Sequence, residues 1–280
     1  MNYEIIKEFL TPDLCRELVN DFHRLTSPET NRWHGGRKLI PKTSPLFVDL
    51  CRESGPWRKL AERLEDPQFS LNLMRTLSIK PDDYKFTDFY GEMSRRFLFL
   101  KRKAGAPVRN SHPLVLVAWL LYGFFIRSTV LALAFWSSIQ RRKLAELFFD
   151  ASAAENGYSR EIHRDSDSRV FVFLLYLNSP KKMSNATGGE LCLHDLVHPI
   201  DEPDPQPDEC AVRTIATIEP EPGCLVVFEN DETSYHSVPQ MSGFEDERVF
   251  LYGSLTVLAG RALAFDGLKK TLPTDYKMYL

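Results

Sequence analysis

The chain has 280 residues, of which 43% are hydrophobic and 26% charged, as is typical of a globular protein with a sizeable core. Its formal net charge of −3 provides no excess of positive charge for a phosphate backbone, so we expect no nucleic-acid partner. The five cysteines are odd in number and scattered, which indicates reduced thiols rather than a disulfide framework. Because acidic residues stand where a signal peptide has its apolar core, we expect a cytoplasmic protein.

The N-terminal part of the chain predicts a strand followed by helices. YEIIKEF (3–9) has the texture of a short strand, and Thr11 with Pro12 is typical of an N-cap and first helical position. We expect a second helix to begin at Ser54 and a third to span about 68–78. None of these elements carries an obvious chemical motif, so we expect the N-terminal part of the chain to be a structural scaffold without catalytic residues.

Residues 113–136, PLVLVAWLLYGFFIRSTVLALAFW, form the most apolar run of the chain. On insertion scales a central Arg127 costs about 3 kcal/mol, whereas each Leu, Val, Ile or Phe contributes about 0.3–0.6 kcal/mol, so energy alone does not exclude a membrane span. Basic residues on both sides of the run encode no sidedness, and Gly123 and Arg127 divide it. We therefore expect a buried or interfacial element, and do not favour membrane contact.

From about residue 145 short apolar runs alternate with polar loops, which predicts an antiparallel sandwich or barrel. The loops at 179–187 and 197–210 are long, and the second is acidic and rich in proline. With the helices before them, these strands predict an α+β protein whose core is mainly β.

His163 and Asp165 lie at the start of this region, in EIHRDSDSR (161–169). Residues i and i+2 of a strand point to the same face, so an imidazole and a carboxylate would meet at one point. A single H-x-D pair occurs by chance about as often as not, and a polar turn before a buried strand is the simpler interpretation. The pair alone is therefore weak evidence.

Downstream residues strengthen the pair. His236 ends another strand-like run, and two His with one carboxylate suit a non-haem Fe(II) site with open coordination positions. Arg248 opens the apolar strand RVFLYGSL, where a buried cation requires an anion and its planar fork suits a carboxylate. Tyr176 ends the strand that follows H-x-D, where its hydroxyl would reach the same carboxylate.

Five stretches follow one another in this region: HRDSDSRVFVFLLYLN (163–178), GGEL (188–191), IEPEPGCLVVFEND (218–231), HSVPQ (236–240) and RVFLYGSL (248–255). Together they resemble the prolyl-hydroxylase-like branch of the 2-oxoglutarate/Fe(II)-dependent oxygenases. The resemblance covers residues 158–257 well, and IIKEFLTPDLCRELV (5–19) more weakly matches the opening strand and helix. It implies a double-stranded β-helix, or jelly roll, supported by N-terminal helices.

By this resemblance His163, Asp165 and His236 match the iron ligands, Arg248 matches the residue that binds the far carboxylate of 2-oxoglutarate, and Tyr176 assists it. The implied cofactors are Fe(II), 2-oxoglutarate and O₂, with ascorbate as a further reductant. The implied reaction hydroxylates an unactivated C–H of an organic substrate and yields succinate and CO₂. Related halogenases lack the carboxylate, so Asp165 favours hydroxylation.

The chain also departs from the family. Many collagen-type prolyl hydroxylases have lysine at the position of Arg248. The family often has a tyrosine shortly before the metal motif, and the alignment of Tyr158 with it is not settled by the sequence. Residues 113–136 have no counterpart in the family. We expect one oxygenase domain over 1–280, comprising a helical support (1–144), a jelly-roll core (145–260) and a C-terminal tail (261–280).

Two other functions remain open from the residues. A jelly roll without activity would serve as a binding or scaffold module, perhaps peripheral to membranes through 113–136. A cupin-like zinc hydrolase or isomerase would need a metal site that works without 2-oxoglutarate. A rival zinc site is suggested by Cys192, His194, Asp195 and His198 in CLHDLVH (192–198), but His198 would follow the strand in a loop and no complete set of four ligands is evident.

Overall fold

The computed structural model of the chain describes residues 1–26, 32–33, 36–96, 142–198 and 204–258, together with ten positions between 121 and 139. The helices with defined bounds are α1 (Pro12–Leu25), α2 (Pro45–Glu53), α3 (Gly55–Glu65), α4 (Pro67–Thr76) and α5 (Phe89–Arg96). The strands are β1 (Tyr3–Ile6), β2 (Arg32–Trp33), β3 (Arg37–Pro41), β4 (Tyr84–Phe86), β5 (Lys143–Ala154), β6 (Arg160–Arg164), β7 (Arg169–Tyr176), β8 (Lys182–Thr187), β9 (Leu191–Leu196), β10 (Val212–Ile218), β11 (Leu225–Glu229), β12 (Tyr235–Val238), β13 (Ser242–Phe244) and β14 (Arg248–Val257).

The helices begin where the sequence places capping residues. The Thr11 hydroxyl accepts a hydrogen bond from the Leu14 amide at the start of α1, and Ser54 accepts one from Trp57 at the start of α3. Both predicted starts are confirmed. The third predicted helix is observed as α4, while α2 was not predicted.

Two antiparallel sheets form the core. The larger sheet has the order β1-β11-β7-β14-β5-β3-β2, and β4 runs parallel to β5 at its side. The smaller sheet has the order β10-β9-β12-β6, and β8 pairs with β13. This is the mainly β jelly-roll core with N-terminal helices that the sequence predicts. Residues 182–187, however, form β8 and not the expected loop, because they pair with β13.

Strand alternation gives the larger sheet two different faces. In β7, Phe171, Phe173 and Leu175 pack with the core residues of the helices, whereas Val172 and Tyr176 face the interior between the sheets. Strands β5 and β14 alternate in the same way, so the helices cover the outer face of the sheet and leave the inner face free to line a site.

Most of the apolar run 113–136 lies outside the described residues, as do the tail 261–280 and part of the loop 197–210. The ten described positions between 121 and 139 are helical, and their side chains are exposed or, for Thr129, half-buried. The buried alternative is therefore wrong at the described positions of the run, and the interfacial alternative stays a prediction. No helix among the described residues combines the length and apolar character needed to cross a bilayer.

Candidate active site

The structure brings His163, Asp165 and His236 together. His163 on β6 and His236 on β12 are register partners in the smaller sheet, and their ring centroids lie 4.3 Å apart. Asp165 follows β6 directly, and its Oδ2 lies 3.7 Å from His236 Nε2. One ligand atom from each residue lies within 4.8 Å of the others, the only such group of three among the described residues. The three side chains can hold one metal ion.

Burial keeps both imidazoles neutral, the form that binds metal. Burial lowers the pKa of His236 to about 3, against the opposing attraction of Asp165. Burial, and next the positive charge of Arg160, also lower the pKa of His163. Both side chains therefore enter the site with a lone pair available.

Arg160 contacts the nitrogen through which His163 would bind a metal. His163 Nδ1 lies 2.8 Å from the Glu161 carbonyl oxygen, so we assign its proton to Nδ1. Nε2 then accepts a hydrogen bond from Arg160 Nη2, at 3.2 Å. A metal and Arg160 cannot share this lone pair, so metal binding requires the guanidinium to turn away.

Arg169 and Tyr252 hold the Asp165 carboxylate. Arg169 Nη1 lies 2.7 Å from Oδ1, and the Tyr252 hydroxyl donates to Oδ2 at 2.7 Å. Although burial opposes it, the Arg169 guanidinium and the hydrogen bond from Tyr252 keep the pKa of Asp165 below its usual value. The carboxylate is therefore ionised and fixed in orientation. The sequence did not identify Tyr252 as part of the site.

Arg248 is buried in the interior without a carboxylate partner among the described residues. Only 1% of it is exposed, and Nη1 donates to the Gly189 carbonyl oxygen. Its guanidinium lies 5.5 Å from the Tyr158 ring centroid, 6.0 Å from that of Tyr176 and 5.0 Å from that of Phe250. Burial lowers the pKa of Arg248. An aromatic wall thus encloses a cation that has no salt-bridge partner in the part of the chain that the structure describes.

Several polar atoms of this interior have no hydrogen-bond partner. The described residues contain five such buried side-chain atoms, and three of them are Arg248 Nε, the Tyr176 hydroxyl and His236 Nδ1. Leaving a buried polar group unsatisfied costs about 1–3 kcal/mol. A carboxylate beside Arg248 and Tyr176 would accept hydrogen bonds from both. The residues present therefore fit an anionic ligand next to a metal ion.

A second charged group, which the sequence did not predict, lines the same interior. Arg37 Nη2 lies 2.7 Å from Asp150 Oδ1, and Nε donates to Ser152 Oγ at 3.0 Å. The Arg37 guanidinium lies 5.3 Å from the Tyr252 ring centroid, which has Arg169 at 5.4 Å. These residues meet because β3 and β14 both pair with β5, which no local pattern reveals.

The alternative zinc residues do not assemble into a site. His194 Nε2 lies 2.8 Å from Ser237 Oγ, and Nδ1 lies 3.2 Å from Thr214 Oγ1. Both ring nitrogens therefore have hydroxyl partners. Cys192, His194, Asp195 and His198 do not form a metal-holding group in the part of the chain that the structure describes.

A family model and several solved structures are similar to this chain. Residues 149–253 match the family model of the 2OG-Fe(II) oxygenase superfamily. The chain is similar to the crystal structure of a Pseudomonas putida prolyl-4-hydroxylase, at 16% identity and a TM-score of 0.40, over 91% of this chain and 92% of that one. It is also similar to a Phytophthora capsici prolyl 4-hydroxylase, at 12% identity and a TM-score of 0.49, over 91% of this chain and 59% of that one.

A prolyl hydroxylase of Trichoplax adhaerens is similar at 14% identity and a TM-score of 0.42, over 94% of this chain and 86% of that one. No curated protein matches the chain in sequence. The region covered by the family model contains His163, Asp165, Tyr176, His236 and Arg248. The part of this chain that matches the 2OG-Fe(II) oxygenase superfamily is thus residues 149–253.

Proposed function

We propose that this protein is an Fe(II)- and 2-oxoglutarate-dependent dioxygenase that hydroxylates an unactivated C–H of an organic substrate and releases succinate and CO₂. The superfamily implies Fe(II), 2-oxoglutarate and O₂ as cofactor and cosubstrates. The observation that carries the proposal is a buried Arg248 that forms no salt bridge with a carboxylate of the described residues, on the wall of the interior that also contains His163, Asp165 and His236. Such a cation is costly to keep unless a ligand neutralises it.

His163, Asp165 and His236 would hold the iron. Two neutral imidazoles and one carboxylate leave coordination positions open for other ligands, as in non-haem iron oxygenases. When bound, Fe(II) and 2-oxoglutarate supply the oxidising power, through oxidative decarboxylation of the 2-oxo acid by O₂. Arg169 and Tyr252 orient the Asp165 carboxylate, and Arg160 releases His163.

Arg248 and Tyr176 would bind the far carboxylate of 2-oxoglutarate. Burial raises the pKa of Tyr176, so its hydroxyl keeps its proton and donates a hydrogen bond. The guanidinium donates in a planar fork that matches a carboxylate. The rings of Tyr158 and Phe250 exclude water from this ion pair and so strengthen it.

Arg37, Asp150 and Arg160 would face the substrate. The paired charges of Arg37 and Asp150 line the interior beside Tyr252, and they offer both a donor and an acceptor to a polar substrate. The substrate classes that we retain are a protein prolyl side chain, a free amino acid, a glycan sugar and a lipid-linked compound.

Turnover of 2-oxoglutarate by the purified protein tests the function. With Fe(II) and O₂ we expect succinate to form slowly without substrate, and His236→Ala to abolish it. His194→Ala is the matched control, since His194 is also a buried histidine of the smaller sheet but lies outside the metal group. An inactive binding module would neither bind nor consume 2-oxoglutarate, and this result would overturn the proposal.

A further inference from the structure

A bulge in β6 turns Arg160 towards the interior of the site. His163 lies opposite His236, but three residues further back on β6 Arg160 lies opposite Val238, which is only two residues from His236. One extra residue of β6 is therefore accommodated as a bulge. Directly opposite residues of an antiparallel pair share a face, and Val238 packs in the interior between the sheets. In an unbroken strand Arg160 and His163 would point to opposite faces, whereas here they share one.

Arg160 loses its polar contact when a metal binds. Within the described part of the chain it makes one hydrogen bond, from Nη2 to His163 Nε2 at 3.2 Å, and no ion pair. A metal ion on Nε2 takes the lone pair that this bond uses. In the metal-bound protein the half-buried guanidinium is thus a cation beside the metal that needs another acceptor.

The expected cofactors do not supply that acceptor. Fe(II) brings two positive charges and 2-oxoglutarate two negative charges, so together they add no net charge to the interior. One carboxylate of 2-oxoglutarate is assigned to Arg248 and the other to the metal. The metal-binding carboxylate of Asp165 already pairs with Arg169, at 2.7 Å. The positive charge of Arg160 therefore remains to be neutralised by a third molecule.

The position of Arg160 suits an anion that arrives from solution. Its side chain is half-buried, so it has contact both with solvent and with the nitrogen that faces the metal. A guanidinium presents its donors in a planar fork that matches a carboxylate with two parallel hydrogen bonds, whereas an imidazole nitrogen accepts only one. An anion is thus a better partner for this side chain than the histidine it leaves.

We propose that Arg160 binds a carboxylate of the substrate, and that the substrate is a carboxylate-bearing molecule such as a free amino acid. This inference rests on the proposed function and narrows its substrate class. A free amino acid always carries a carboxylate, whereas a prolyl side chain within a peptide and a neutral sugar do not. The carboxylate bound to Arg160 holds the substrate next to the metal.

The contact between Arg160 and His163 also couples substrate binding to metal binding. The guanidinium serves either His163 Nε2 or the anion, and the metal needs Nε2 to be free. An anion that draws Arg160 away therefore tightens metal binding, and by linkage the metal tightens anion binding by the same factor. We expect a factor of about ten, the contribution of one hydrogen bond from a charged donor.

Calorimetric titration with Mn(II) tests the proposal without turnover. The probe is sodium propionate, and propionamide is the neutral probe of the same shape, with sodium chloride keeping the ionic strength equal. In the wild type, with and without saturating 2-oxoglutarate, propionate should lower the Kd of Mn(II) by about tenfold and propionamide should leave it unchanged. Arg160→Gln should show no response to propionate, and Arg160→Lys, which keeps the charge, should retain part of it.

Arg164→Gln is the matched control. Arg164 belongs to the same strand but lies opposite Tyr235, on the face away from His236, and it pairs with Asp167. Its Kd for Mn(II) should respond to propionate as that of the wild type does. Thermal unfolding of each variant shows whether the fold is kept.

Several results would overturn the proposal. One is a wild type that does not respond to propionate, and another is an equal response in Arg160→Gln. A third is a Kd of 2-oxoglutarate that rises tenfold or more in Arg160→Gln while propionate has no effect on the 2-oxoglutarate-bound protein, which would assign Arg160 to the cosubstrate. A larger response to methyl phosphate than to propionate would assign it to a phosphate.

Failure of the proposed function gives a different result. In that case 2-oxoglutarate does not bind to the Mn(II) form of the wild type. The titrations without 2-oxoglutarate still decide whether Arg160 binds an anion, because the wild type and Arg160→Gln are then compared with Mn(II) and propionate alone.

Discussion

Arg248→Met separates a ligand-binding arginine from a structural one. In the protein without ligand, the substitution replaces a buried charge with an apolar side chain. Such a replacement raises the free energy of unfolding by about 1–4 kcal/mol. It also leaves the Gly189 carbonyl oxygen without its donor, at a cost of about 1–3 kcal/mol. These effects oppose each other, so we expect the free energy of unfolding of the variant to stay within about 2 kcal/mol of the wild type.

Binding of 2-oxoglutarate should respond very differently. Loss of one partner of a buried, hydrogen-bonded charge pair costs about 2–5 kcal/mol. The dissociation constant of 2-oxoglutarate should therefore rise by about 30-fold or more, since 1.4 kcal/mol corresponds to about tenfold. In thermal unfolding, 2-oxoglutarate at about 100 times its wild-type Kd stabilises the wild type by about 2.7 kcal/mol. A variant whose Kd is about 100-fold higher gains only about 0.4 kcal/mol at that concentration.

The assay is calorimetric titration of 2-oxoglutarate without O₂, in the presence of Mn(II), together with thermal unfolding. Arg37→Met is the matched control, since Arg37 lies on the same inner face but has a carboxylate partner, Asp150. It should destabilise the protein by about 3 kcal/mol, because Asp150 loses its partner, and leave 2-oxoglutarate affinity nearly unchanged. If Arg248→Met instead strongly destabilised the protein and bound 2-oxoglutarate normally, our reasoning about the lone cation would be refuted.

Three further predictions follow from the described contacts. Arg160→Gln removes the donor that competes for His163 Nε2 and should tighten Mn(II) binding by about tenfold, whereas weaker binding would show that Arg160 supports the ligand. In the metal-free protein the pKa of His236 is about 3, below its usual value of 6.5, so the unfolded chain binds more protons between these values and stability is lost as the pH falls. In urea denaturation the free energy of unfolding should be about 1.4 kcal/mol lower at pH 5.5 than well above pH 6.5. The assignment would be contradicted if the free energy of unfolding of His236→Gln depended on pH as strongly as that of the wild type. Gly253→Ala should lower the free energy of unfolding by about 1–3 kcal/mol in the same assay. The added Cβ would lie 2.4 Å from a ring atom of Phe173 and 2.7 Å from the Phe148 carbonyl oxygen. An unchanged free energy of unfolding would show that the sheet shifts to make room.

The local signals of this sequence were sufficient for the caps of α1 and α3 and for the proximity of His163 and Asp165. Thr11 and Ser54 satisfy amides only three residues away, and His163 and Asp165 are two residues apart. Interactions of this range depend on the backbone geometry of one element, so the residue types predict them. His236 and Arg248 were identifiable because their order along the chain resembles a known family, which the match of residues 149–253 confirms at the level of the superfamily.

The tertiary structure alone decided which residues surround these groups. Arg37 and Asp150 are 113 residues apart, and Tyr252 and Asp165 are 87 apart, so their contacts depend on strand order and register. The apolar run illustrates a different limit. Its hydrophobicity is compatible with a core helix, a span or a surface element, because burial energy depends on area and not on what covers it. The parallel pairing of β4 with β5 places the chain before the run, at residues 84–86, and the chain after it, at residues 143–145, on one edge of the sheet, and that long-range constraint disfavours a single span.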